Sequence, residues 1–162
     1  MMSKVLISAC LLGDNVRYDG RHNLINHPLL EKLKSENRLV TICPEVAGGL
    51  TVPRPYATIA RRIPVEVITD EGQDVTPQFV LGAELTAELA KREGCIAALM
   101  KADSPACGNR DISGAAFSGK EASGAGIAAQ EVIESGIPVF NETEIDRLET
   151  MLQERDLMLE TA

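Results

Sequence analysis

The feature that most constrains this chain is an alternation of short apolar runs with helix-like stretches, separated by single turn-forming residues. Val5-Leu6-Ile7 is brief and uniformly apolar, as in a strand covered on both faces. After a polar loop, Leu29, Leu30 and Leu33 share one side of a helix over residues 28–36, which Asn37 can end in the left-handed region. Leu39-Val40-Thr41-Ile42 then reads as a second buried strand. Thr76-Pro77 predicts an N-cap followed by proline at the first helical position, with Val80, Ala83, Ala87 and Ala90 at helical spacing as far as Gly94. Cys95-Ile96-Ala97-Ala98-Leu99 follows as a third strand. Downstream, residues 124–135 read as a helix ended by Gly136, and residues 137–140 as a fourth strand. Asn141 with Glu144 has the pattern of a capping box, opening a last helix whose Ile145, Leu148, Leu152 and Leu159 face the core. Residues 57–68 are rich in β-branched side chains and precede an Asp70-Glu71-Gly72 turn, which predicts a small antiparallel excursion.

Alternating strands and helices with short joints predict an α/β fold: a three-layer domain with a mainly parallel sheet covered by helices. At 162 residues, 44% apolar and 25% charged, with no low-complexity tract or linker, the chain is expected to form one domain over residues 1–162. The opening apolar run is too short for a signal peptide, and no stretch reaches the roughly eighteen apolar residues of a membrane span. The expectation is a cytoplasmic protein with no membrane partner. A net charge of -8 argues against capture of a nucleic-acid polymer, which needs a basic stripe. Oligomeric state is not readable from this pattern.

In open parallel sheets, ligands bind beyond the carboxyl ends of the strands, where loops vary and helix N-termini point inward. Three of the four cysteines fall there: Cys10 after the first strand, Cys43 at the end of the second, and Cys107 in the loop after the third. Cys95 opens the third strand at the opposite edge, in an apolar context that suits an inert buried thiol. A reducing compartment argues against a disulfide framework. Three small thiols can simply fill loop corners. Each, however, sits among turn residues, and Glu45 and Ser104 add polar groups that a filler does not require. Three thiolates can hold zinc or an iron-sulfur cluster, and three ligands rather than four leave a position open for chemistry. The absence of any C-x-x-C pair disfavours a compact structural zinc site.

Ile7-Ser8-Ala9-Cys10-Leu11-Leu12-Gly13, Val16-Arg17-Tyr18-Asp19-Gly20, Cys43-Pro44-Glu45-Val46, Gly48-Gly49-Leu50, Pro53-Arg54, Lys101 and Ser104-Pro105-Ala106-Cys107-Gly108 together carry a resemblance. In order and spacing, and with Gly72, Asp74-Val75-Thr76 and Phe117-Ser118-Gly119, they resemble a bacterial family long catalogued as a domain of unknown function. Its characterised members are thiouracil desulfidases and related thiouridine-nucleotide desulfidases. Some relatives have a second, C-terminal domain, and this chain is expected to be a stand-alone member. The resemblance implies a 4Fe-4S cluster held by Cys10, Cys43 and Cys107 with one open iron, Glu45 as catalytic carboxylate and Ser104 as an assisting group. Some relatives have a further cysteine where this chain has Val16, so no fourth ligand is implied there.

The activity so implied is a hydrolytic, non-redox desulfuration of a thiolated pyrimidine, giving the oxo-pyrimidine and hydrogen sulfide. An open iron is a soft Lewis acid matched to a thiocarbonyl sulfur, and a carboxylate two residues past a ligand suits proton transfer to and from water. The small-molecule partner would be a thiolated base or nucleotide, with Arg17, Tyr18, Arg54 and Lys101 as substrate-binding candidates. Ser123 and Gly124 join them, because the glycine-rich start of the fourth helix has the pattern of a phosphate cradle, although close helix-sheet packing is the favoured reading of those glycines. The competing readings are a three-cysteine zinc hydrolase or deaminase, and a cluster-binding sensor or sulfur carrier without turnover.

Overall fold

The structure is a computed structural model that describes residues 3–109 and 124–161. Its centre is a parallel sheet of four strands: β1 (Lys4–Ser8), β2 (Leu39–Ile42), β5 (Cys95–Leu99) and β6 (Val139–Phe140), in the order β2-β1-β5-β6. A hairpin of β3 (Ala57–Arg62) and β4 (Val65–Thr69) forms the predicted antiparallel excursion. Helices α1 (Pro28–Ser35), α2 (Pro44–Ala47), α3 (Thr76–Arg92), α4 (Ile127–Glu134) and α5 (Ile145–Thr161) complete the chain.

The pleat of β1 divides the core. Leu6 packs with Ala98, the hairpin, α3 and α4, whereas Val5 and Ile7 pack with Leu11, α1 and α5. All three β1 side chains are fully buried, each contributing about 1.5–3 kcal/mol. Two apolar faces on one strand require two covering layers, which is the predicted three-layer α/β arrangement. A register shift between Lys4 and Val5 pairs these residues with Cys95 and Ala97, leaving Ile96 as an extra residue. Cys95 thereby joins the Leu6 side and is buried, while Ala97 and Leu99 face the other layer.

Several boundaries differ from the sequence expectation for local reasons. Val75, not Thr76, is the N-cap of α3. The Asp74 carboxylate accepts from the Thr76 N–H, and the Thr76 hydroxyl is turned to the Val67 N–H at 2.8 Å. Helix α4 begins at Ile127 rather than at residue 124, because Gly126 is extended, with φ -58° and ψ 158°. β6 is only two residues long, and Pro138 joins the sheet through its carbonyl alone, accepting from Ala98. The Asn141–Glu144 capping box forms, opening a 3₁₀ turn that runs into α5. The side chain of Leu159 and the Phe117-Ser118-Gly119 motif lie outside the described residues. No described helix is long and apolar enough to cross a membrane.

Candidate active site

The strand order places β1 between β2 and β5, so the chain leaves β1 toward one edge and later returns to its other side. The crevice at such a reversal opens at the carboxyl ends of the strands. Cys10 lies just past β1, in a 3₁₀ turn (Ala9–Leu12) closed by Gly13 at φ 96°. Cys43 follows β2 as the N-cap of α2, a four-residue helix not apparent from periodicity. Helix α2 lies directly on α3: a Cβ at Gly48 would overlap the Gln78 carbonyl, and one at Gly82 would overlap the Pro44 carbonyl. Cys107 sits in the loop after β5, where the Ser104 hydroxyl accepts from the N–H groups of Ala106 and Cys107 at 3.2 and 3.1 Å.

The start of α4 braces that same loop. The N–H groups of Gly126, Ile127 and Ala129 donate to the carbonyls of Gly108, Pro105 and Ala106 at 2.6, 2.9 and 3.0 Å. A Cβ at Gly126 would approach the Ala106 carbonyl carbon to 2.6 Å. The amides that a phosphate cradle needs are therefore engaged in holding the cysteine loop, and close packing explains the glycines. Ser123 lies outside the described residues. Gly124 does not line the cavity and sits against the Arg62 guanidinium, which donates to the Ala125 carbonyl at 2.6 Å.

One cavity of about 290 Å³ collects the three strand-end cysteines with Glu45 and Ser104. The other predicted contributors, Arg17, Tyr18, Arg54 and Lys101, also line it. Each of these cations has a carboxylate partner: Arg17 pairs with Asp19 at 3.1 Å, Arg54 with Glu45 at 3.2 Å and Lys101 with Glu142 at 2.7 Å. Arg54 is the most enclosed, and its other nitrogens donate to the carbonyls of Thr51 and Val16 at 3.1 and 2.9 Å.

Burial pushes the Glu45 carboxyl above its ordinary pKa, against the attraction of Arg54. Burial also raises all three thiols, Cys107 most, against neighbouring donor groups. Asn23 Nδ2 donates to Cys10 Sγ at 3.4 Å, and the Ser8 hydroxyl near Cys107 and the backbone amides of Val46 and Glu45 near Cys43 act in the same lowering direction.

Sequence reasoning missed four polar lining residues: Ser8, Asn23, Tyr56 and Asp103. Tyr56 could have been found, since the chain has only two tyrosines and both lie at this mouth, in edge contact at 5.2 Å. Asn23 left no sequence signal, because its bond to Cys10 spans 13 residues of irregular loop. Ser8 is hidden at the end of β1, where its hydroxyl accepts from the Lys101 N–H at 3.0 Å. Asp103 has a left-handed backbone, φ 63°.

The donor set can be tested against a metal. Around one tetrahedral zinc ion, sulfur ligands stand about 3.8 Å apart, given Zn–S near 2.3 Å. Among the described residues, the group of metal-capable side chains whose atoms all lie within 4.8 Å is His27, Asp146 and Glu149, not the three cysteines. His27 serves instead as the N-cap of α1: its Nδ1 accepts from the Leu29 N–H at 3.0 Å, so Nε2 carries the proton and offers no lone pair. The wider spread of the thiols suits a polynuclear cluster, whose cysteines ligate different irons.

Positions 5–144 match the family model described as 2-thiouracil desulfurase. The uncharacterized protein YbbK of Bacillus subtilis (strain 168) is 34% identical over 149 residues, which span 88% of this chain and 97% of its own. A solved structure, that of the 4Fe-4S-dependent thiouracil desulfidase TudS, is similar with a TM-score of 0.84 and 41% identity, covering 93% of this chain and 98% of the other.

Proposed function

The chain belongs to the 2-thiouracil desulfurase family, and on that premise we propose that it removes sulfur from a thiolated pyrimidine, thiouracil or a thiouridine nucleotide, as hydrogen sulfide. The observation that carries this reading is the convergence of Cys10, Cys43 and Cys107 from three strand ends on one cavity that also holds the Arg54-anchored Glu45. These three thiols would hold a 4Fe-4S cluster, which when bound supplies a soft Lewis-acid position for the substrate sulfur.

The chain's own residues account for the remaining chemistry. Water replaces sulfur at the ring carbon: a carbon–oxygen bond forms, the carbon–sulfur bond breaks, and no net electron transfer is needed. Glu45 opens on the cavity two residues past Cys43, where it takes a proton from the attacking water and returns one to the departing sulfur. The Ser104 oxygen is fixed by two backbone N–H donors, which leaves its own proton free to be donated into the cavity. Tyr18 and Tyr56 give the mouth an aromatic edge for a flat ring, and Lys101 a nearby cation. The net charge of -8 accords with a small-molecule substrate rather than a nucleic-acid polymer.

The test is anaerobic reconstitution with iron and sulfide, followed by sulfide-release assays on thiouracil, thiouridine and thiouridine monophosphate. Brown protein that turns over repeatedly on at least one of these is expected. A colourless zinc protein, or release of no more than one equivalent of sulfide per chain, would sink the reading.

A further inference from the structure

Asn23 is bonded twice to the same cysteine. Its backbone N–H donates to the Cys10 carbonyl at 2.8 Å, and its side-chain Nδ2 donates to Cys10 Sγ at 3.4 Å. The other end of that amide is occupied as well, because Arg17 Nη1 donates to Asn23 Oδ1 at 2.8 Å. A guanidinium has only donors, so the carbonyl end must face Arg17 and the NH₂ end must face the sulfur. Arg17 is itself held in place. Its Nη2 pairs with Asp19 Oδ2 at 3.1 Å, and its Cζ lies 5.7 Å from the centre of the Tyr18 ring. Its backbone closes the local turn, accepting from Gly20 at 2.9 Å and donating to the Arg21 carbonyl at 3.1 Å.

We propose that Asn23 is a positioning residue for the Cys10 sulfur, and that Arg17 acts behind it by fixing the amide rather than by binding substrate. This rests on the reading of Cys10 as a cluster ligand. An N–H donor aimed at a ligating thiolate draws charge from it and fixes its rotamer. Hydrogen bonds to sulfur are among the factors that set a cluster's reduction potential, and outer partners of metal ligands are typically worth 10–100-fold in affinity. Removing the donor therefore makes the potential more negative and the cluster easier to extract.

The experiment uses anaerobically reconstituted full-length protein: wild type, Asn23→Asp, Asn23→Ala and Arg17→Lys. Two quantities are read, the rate of cluster loss to an iron chelator and the reduction potential. Asn23→Asp keeps the shape but replaces the donor with a negative acceptor, so it should lose cluster about 10-fold faster or more and have a more negative potential. Asn23→Ala should fall between it and wild type. Arg17→Lys can still donate to Oδ1 and should stay near wild type.

Asn23 variants that match wild type in both readouts overturn the proposal. So does faster loss at an unchanged potential, which would mark a purely structural loop residue. If Asn23→Asp folds by circular dichroism but takes up no cluster, Asn23→Ala decides on the same two readouts. A wild type that takes up no cluster fails the reading of the site, and this proposal falls with it.

Discussion

Arg54 Nε stands 3.2 Å from Glu45 Oε1, while its other two nitrogens are bonded to the carbonyls of Val16 and Thr51. One guanidinium thus ties the loop after Cys10 to the carboxylate after Cys43, and its backbone N–H adds a bond to the Tyr18 carbonyl at 2.8 Å. A side chain so engaged acts as a fastening for Glu45 more than as a hand for substrate. Arg54→Lys keeps the charge but cannot make three divergent bonds. Sulfide release should show kcat reduced about 10²-fold with KM little changed. A large rise in KM at unchanged kcat would return Arg54 to the role of substrate ligand.

Glu45→Gln preserves the volume and hydrogen-bonding reach of the side chain while abolishing its proton exchange. If Glu45 moves the protons of the attacking water and the leaving sulfur, kcat should drop by about 10²–10⁴ at undiminished iron content. Iron and sulfide per chain are measured alongside turnover, so that loss of the cluster is distinguished from loss of the base.

The central layout was legible because each signal was local. Val5-Leu6-Ile7 and Leu39-Val40-Thr41-Ile42 are strands by composition, and Asn37, Gly94 and Gly136 adopt the positive φ values that end their helices. Strand ends place loops, so the sorting of Cys10, Cys43 and Cys107 away from Cys95 needed no coordinates. What escaped was local structure without periodicity and contacts made across loops. Helix α2 is four residues long, too short for any repeat. The Asn23–Cys10 and Arg54–Val16 bonds join segments whose mutual approach depends on the completed fold. The glycine pattern near Gly126 was visible, but a tight backbone approach and an anion cradle require the same residue, and only the partners of those amides distinguish them.

Gly82→Ala tests the contact that sets α2. The added methyl would overlap the Pro44 carbonyl, a backbone group that cannot rotate away as a flexible side chain could. Overpacking of this kind costs about 1–3 kcal/mol, so the Tm should fall by roughly 2–12 °C. Because Pro44 lies between Cys43 and Glu45, cluster uptake should fall as well. A variant with a lowered Tm but full cluster content would show that α2 can shift without disturbing Cys43.

Cys95 provides the internal control for the thiol assignment. Burial, aided by the nearby Glu93 carboxylate, pushes its pKa up to about 11 from an ordinary value of 9.0. The folded thiol therefore holds its proton more tightly than the unfolded one, so its contribution to stability is complete below pH 9. That contribution is lost as pH rises through the folded value near 11, because the unfolded state ionises first. Cys95→Ala removes this loss while leaving the other three thiols in place. Denaturant unfolding of wild type and variant at pH 8 and at about pH 10.5 should show a smaller alkaline decline in the variant. Reconstitution should give Cys95→Ala a full cluster, whereas alanine at Cys10, Cys43 or Cys107 prevents stable uptake. Equal alkaline declines would mean that Cys95 titrates as an ordinary exposed thiol, and failure of Cys95→Ala to take up iron would make it a ligand after all.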